Sequence, residues 1–144
     1  MGLLDRLRDL VGKTKAPGLG ADTPGVEIIA EAFDPAEADS SVLARSPAWV
    51  AEAPAILRHH LKLPPEKVAE ATAILAQDGW ELREQGPDGG FTLAHALRVQ
   101  ILDALHCAQE RSRMAGLAQR LGGDSLGWDA LQPPTGTRDV GHGG

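Results

Sequence analysis

Apolar and polar residues alternate most regularly between Ile56 and Leu63. Leu57, His59, Leu61 and Leu63 fall on one side of an extended chain there, and Ile56, Arg58, His60 and Lys62 on the other. Pro64-Pro65 closes the run, because a residue before proline is held extended and proline suits a first helical turn. Helical spacing follows from about Pro65 to Gln77, with Val68, Ala71, Thr72 and Leu75 as its apolar stripe and Asp78-Gly79 as its stop. Trp80 to Glu84 alternates again, and Gly86-Pro87-Asp88-Gly89-Gly90 reads as a turn. Phe91 to Val99 is the longest alternating run; it sets Phe91, Leu93, His95, Leu97 and Val99 against Thr92, Ala94, Ala96 and Arg98. A second helix is expected from Leu102 or Asp103 to Leu121, with an acid near its start and Arg120 near its end, as the helix dipole favours. Gly122-Gly123 stops it, and Ser125 to Leu131 is the last strand. Residues 55–131 therefore predict an α+β domain in β-α-β-β-α-β order, a ferredoxin-like sheet with both helices on one face.

The N-terminal third is patterned differently. Leu3, Leu4, Leu7, Leu10 and Val11 recur at helical spacing over residues 1–13, with Asp5, Arg6, Arg8 and Asp9 on the other side. Three turns are too short to stand alone, so this amphipathic segment is expected to dock on its own domain or on a partner, or to fray, with contact to a membrane surface as the alternative. Residues 14–25, rich in Gly and Pro, read as a linker. Val26 to Phe33 fits either a strand or a helix start. Asp34-Pro35 and Ser46-Pro47 each signal a helix, one to about Ala44 and one to Ala53. Residues 26–54 are thus expected to form an acidic, mainly helical extension, holding Glu27, Glu31, Asp34, Glu37, Asp39 and Glu52. Residues 132–144 read as a disordered tail.

Composition narrows the function. The 144 residues allow one domain with appendages, and the absence of tyrosine leaves the core to aliphatic side chains and alanine. A net charge of −6 opposes tight binding to a phosphate backbone, which needs clustered lysine and arginine, so no direct nucleic-acid contact is expected. The single cysteine, Cys107, permits no internal disulfide and suits a cytoplasmic protein. No apolar run nears the ~20 residues of a membrane span, and the start lacks the basic-then-apolar pattern of a secretory signal.

Two families share this string. Leu61 to Val68, Ile74-Leu75 and Asp78-Gly79-Trp80 resemble the recognition half of a winged helix, with Gly86 to Gly90 as the wing. Charge opposes that alternative: Glu66, Glu70, Glu81, Glu84 and Asp88 stand where a DNA reader carries cations. The run into Leu63-Pro64-Pro65, the helix ending Asp78-Gly79-Trp80, the hairpin, and Gly122-Gly123 with Gly127-Trp128-Asp129 resemble instead the family of RraB, the regulator of ribonuclease E activity, from about Ala55 to Leu131. That resemblance implies a non-enzymatic regulatory module that binds a protein, with a ribonuclease of the RNase E type as the candidate partner. A structural or assembly subunit, docked through Leu3, Leu4, Leu7 and Leu10, is the alternative.

Chemistry-bearing residues are few. His59 and His95 lie mid-strand on the more apolar sides of neighbouring strands, where their rings could approach, but a metal site needs a third ligand and none is visible. Cys107 lacks the setting of a nucleophile and reads as a small buried residue. No catalytic, metal or cofactor site is expected. Trp80 and Trp128 are core closers or, if exposed, interface anchors; Arg111, Arg113 and Arg120 give the last helix a basic side for a partner.

Overall fold

The strand with the strictest alternation lies at the centre of the sheet. The computed structural model describes residues 19–20 and 22–134. Its strands are β1 (Glu27–Ala32), β2 (Pro54–Leu63), β3 (Glu81–Asp88), β4 (Phe91–Ile101) and β5 (Asp124–Gln132); its helices are α1 (Asp39–Ala44), α2 (Val68–Ala76) and α3 (Ala104–Arg120). The five strands pair antiparallel in the order β1-β5-β2-β4-β3. β2 pairs with β4 without interruption from Pro54↔Ile101 to Leu63↔Thr92. Such a strand must bury one side chain in two, and Leu57, His59, Leu61 and Leu63 are all fully buried.

Leu57, Leu61 and Leu63 form one cluster with Val42 and Leu43 of α1, Ala71 and Leu75 of α2, and Cys107, Met114 and Leu117 of α3. Their strand partners Ala30, Ala32, Ala96, Trp128 and Ala130 project from the same side of the pleat. All three helices therefore cover one face of the sheet, and the other face carries no helix among the described residues.

Local chemistry fixes most boundaries. Asp103 accepts a hydrogen bond from the His106 amide at 2.8 Å and caps α3. At its other end Gly122, at φ 85°, lets the amides of Gly122 and Gly123 reach back to the carbonyls of Gln119 and Ala118. The β3–β4 hairpin turns on Gly89-Gly90 alone, at φ 57° and 90°, as a tight two-residue connection requires. Gly86, Pro87 and Asp88 belong to β3, not to a five-residue turn; a bulge before Gly86 and the edge position accommodate the proline.

The N-terminal part corrects the sequence expectation. Residues 26–54 are not mainly helical: β1 adds a fifth strand beside β5, and the only helix there is the six-residue α1. Pairing with β5 satisfies one side of the β1 backbone and seats Ala30 and Ala32 in the core, which outweighs the helix preference of its Glu and Ala residues. The helix expected after Pro47 does not form. The Gln132 side chain accepts from the Val50 amide at 2.9 Å and donates to the carbonyls of Val50 and Ala53 at 3.0 and 3.1 Å, holding that segment as turns against β5.

The expected linker is ordered at its C-terminal end. Gly20 and Thr23 close a turn on each other, and Asp22 takes Arg83 of β3 at 2.9 and 3.2 Å. β3 and β1 are opposite edges, so the chain crosses the width of the sheet between Asp22 and Glu27. Gly20 lines a hollow with Ile56, Leu97 and Val99, which places this strap on the face away from the helices. The amphipathic segment 1–13 and the tail from residue 135 lie outside the described residues. No helix among those described is long and apolar enough to cross a membrane.

Candidate functional site

Gly127-Trp128-Asp129 sends successive side chains to opposite faces of β5, and each has a separate task. Gly127 sits at φ 135°, and a Cβ there would lie 2.4 Å from the Ala32 carbonyl oxygen and 2.6 Å from the Phe33 ring. Only glycine lets β1 and Phe33 lie this close. Trp128 points under the helices, fully buried, and its Nε1 donates to Asp39 Oδ1 at 3.0 Å. Arg111 donates to the same oxygen at 2.7 Å and reaches the carbonyls of Glu37 and Asp34 at 3.3 and 3.2 Å. It is the clamp that ties the acidic N-terminal part to α3.

Asp129 points to the open face. It accepts from Arg58 Nε and Nη2 at 2.8 and 2.6 Å, and His60 Nε2 lies 3.2 Å from its Oδ1. Burial pushes the Asp129 carboxyl up, but the Arg58 hydrogen bonds and the adjacent His60 outweigh it and hold the group below the ordinary range. His60 stands directly opposite His95 in the β2–β4 register, with ring centroids 4.2 Å apart. Burial, then the charges of His60 and Arg58, take His95 down to about 4. Phe33 meets the His60 ring edge-on at 4.9 Å. Both histidines line a hollow of about 130 Å³ together with Gln85, Leu93 and Leu126. Leu126 and Phe33 flank this cluster at 40 % and 42 % exposure. The arrangement offers two exposed apolar side chains around polar groups whose positions are set by an ion pair. Among the described residues no group of three or more His, Cys, Asp or Glu could hold a metal ion.

The expected histidine encounter is off by one residue. His59 does not approach His95; it faces the helices, opposite Ala96, packed edge-on against Trp80 at 5.2 Å with neither ring nitrogen hydrogen-bonded. Burial, then the charges of His60, Arg111 and Arg98, lowers it to about 3. Trp80 and Trp128 are both buried and so are not surface anchors; Arg98 stacks on the Trp80 ring at 4.2 Å and pairs with Glu110. Arg113 pairs with Asp78, and Arg120 stands exposed beside it on the outer side of α3. Burial, reinforced by Asp39, Glu110 and Asp103, raises the Cys107 thiol to about 12, far from a reactive thiolate. Leu3, Leu4, Leu7 and Leu10 lie outside the described residues.

Sequence reasoning gave no site role to Arg58, His60, Phe33 and Leu126, and Asp129 entered only as part of the Gly127-Trp128-Asp129 motif. The usable signal was the period-two side shared by Arg58 and His60, which becomes informative once β5 supplies an acid in register: Arg58 pairs with Asp129 and His60 with Gly127. No protein-family model matches this chain, and no curated protein or solved structure matches it either.

Proposed function

We propose that this chain is a non-enzymatic, protein-binding regulatory module that meets its partner through the sheet face opposite the three described helices. The observation that carries this is the placement of exposed Phe33 and Leu126 around the Arg58–Asp129–His60 cluster and His95. Single exposed apolar residues are ordinary. Two of them flanking a polar hollow on a hydrogen-bonded sheet match the composition of an interface centre, where apolar anchors sit among polar groups already held in place.

Residues 54–132 run strand-helix-strand-strand-helix-strand with the spatial order β5-β2-β4-β3 inside a five-stranded sheet, an order we read as a ferredoxin-like unit extended by β1. This supports the resemblance to the RraB family and, through it, a cytoplasmic ribonuclease of the RNase E type as the partner. The test is calorimetric titration of such a ribonuclease with the purified chain, alongside its RNA cleavage rate. Binding with slowed cleavage is expected, weakened roughly tenfold or more by Phe33→Ser or Leu126→Ser while the fold persists. No binding removes the ribonuclease; binding indifferent to both substitutions removes this face.

A further inference from the structure

The outer side of α3 carries two features that its own packing leaves unused. Leu105, in the first turn, is 64 % exposed, the most open large apolar side chain among the described residues. Towards the other end of the helix, Arg113, Gly116, Gln119 and Arg120 line an open groove of about 610 Å³ over the buried Leu117. Helical spacing puts Leu105, Ser112 and Gly116 within about 40° of one another, on the side away from the buried Cys107, Met114 and Ala118. A Cβ on Gly116 would meet nothing within 4 Å, so the groove is open above it among the described residues. Beside it Arg113 is tied to Asp78, whereas Arg120 has no ion-pair partner among the described residues.

We infer that two copies of this chain associate by pairing their α3 helices antiparallel about a twofold axis at Ser112, each Leu105 entering the groove of the other copy. Leu105 and Gln119 both lie seven residues, roughly 10 Å, from Ser112, so this crossing brings each leucine level with the opposite groove. The same contact is then made twice, as a closed twofold dimer requires. Ser112 and Gly116 are small, and the side chains at a crossing set how closely two helices approach. Antiparallel pairing also places the free Arg120 of one copy beside the start of the other α3, where the Asp103 carboxylate is half exposed, and brings unlike dipole ends together. A parallel pair would instead set Leu105 against Leu105 and Arg120 against Arg120, with both grooves empty. One helix pair covers less than the roughly 1,200 Å² of a standard interface, so the dimer is weak and depends on concentration. Arg58, His60 and His95 on the opposite face of the sheet stay free to meet another protein.

Sedimentation equilibrium of the full chain should show the mass rising from monomer to dimer between about 10 μM and about 1 mM, the range of a weak interface. Leu105→Glu and Gly116→Glu should each weaken association roughly tenfold or more. Both positions are exposed, and replacing glycine favours the helix, so urea unfolding should show the fold retained. Oxidation of the double variant Leu105→Cys with Gln119→Cys should give a covalent dimer that neither single variant gives. Within one helix the two positions are roughly 21 Å apart, too far to join. Cys107 is buried and takes no part. A mass that stays monomeric at every concentration would give the groove to another occupant and overturn the pairing. Association indifferent to both glutamate substitutions would overturn it as well. So would a covalent dimer from Leu105→Cys alone, which needs parallel helices.

Discussion

The two faces of the sheet are built from the same strands under different rules. On the helix side most side chains fill volume: Leu57, Leu61, Leu63, Ala96, Ala130 and Trp128 close on the helices, and only the Trp128 indole among them carries a hydrogen bond, to Asp39. On the other side, Arg58, His60, His95 and Asp129 form one polar network between apolar neighbours. His59 and His60 make the contrast within two residues. His59 is a buried ring without hydrogen bonds, whereas His60 touches a carboxylate, a second histidine and a phenylalanine. The face opposite the described helices can hold charge because water and ion pairs share the desolvation cost. The covered face holds charge only where it is closely paired, as in Asp39–Arg111 beside Trp128 and Arg98–Glu110 beside Trp80.

The largest effect belongs to the covered face. Trp128→Ala should cost about 3–5 kcal/mol in urea unfolding, through the cavity it leaves and the indole donor it removes from Asp39. A loss below about 1 kcal/mol would mean that the face is not packed as described. On the open face, Asp129→Ala should cost about 3 kcal/mol. That is the low end for breaking a buried pair, because Arg58 keeps 22 % of its side-chain exposure. A double-mutant cycle with Arg58→Met checks it, and coupling near zero would reduce the network to a surface ion pair.

The smallest effect at neutral pH, and the sharpest test of the contrast, is His59→Leu. An unpaired buried ring replaced by an apolar side chain should leave stability unchanged or slightly raised at pH 7. The difference lies in acid. The unfolded chain protonates this ring near 6.5, but the folded chain does so only at about 3. Between those values the unfolded state binds more protons, so the native protein loses stability as pH falls through that window. His95, lowered to about 4, adds a loss of the same sign over a narrower range. Unfolding free energies at pH 7 and pH 5 should therefore diverge less in His59→Leu than in the parent chain. Equal divergence would place the acid sensitivity elsewhere.

Glycine, proline and alternation marked the right elements along 54–132, because those signals act over a few residues and do not depend on the rest of the chain. Pro64-Pro65, the Asp103 cap and Gly122-Gly123 all end or begin elements where local chemistry places them. The acidic third was misread for the converse reason. Whether Glu27 to Ala32 is strand or helix depends on β5, about 100 residues later, and whether 47–53 is helical depends on one amide of Gln132. The candidate site was legible only in part. Gly127-Trp128-Asp129 stood out as a motif, but its partners Asp39, Arg58 and Phe33 are brought in by three other segments.

Sequence by itself determined the alternation of faces, the turns and the helix ends, since each follows from the sterics and hydrogen bonds of neighbouring residues. Tertiary structure alone decided that β1 joins the sheet, that His60 rather than His59 meets His95, and that the strap crosses the open face. Strand register is settled by pairing over distant residues, and a shift of one position exchanges the two faces.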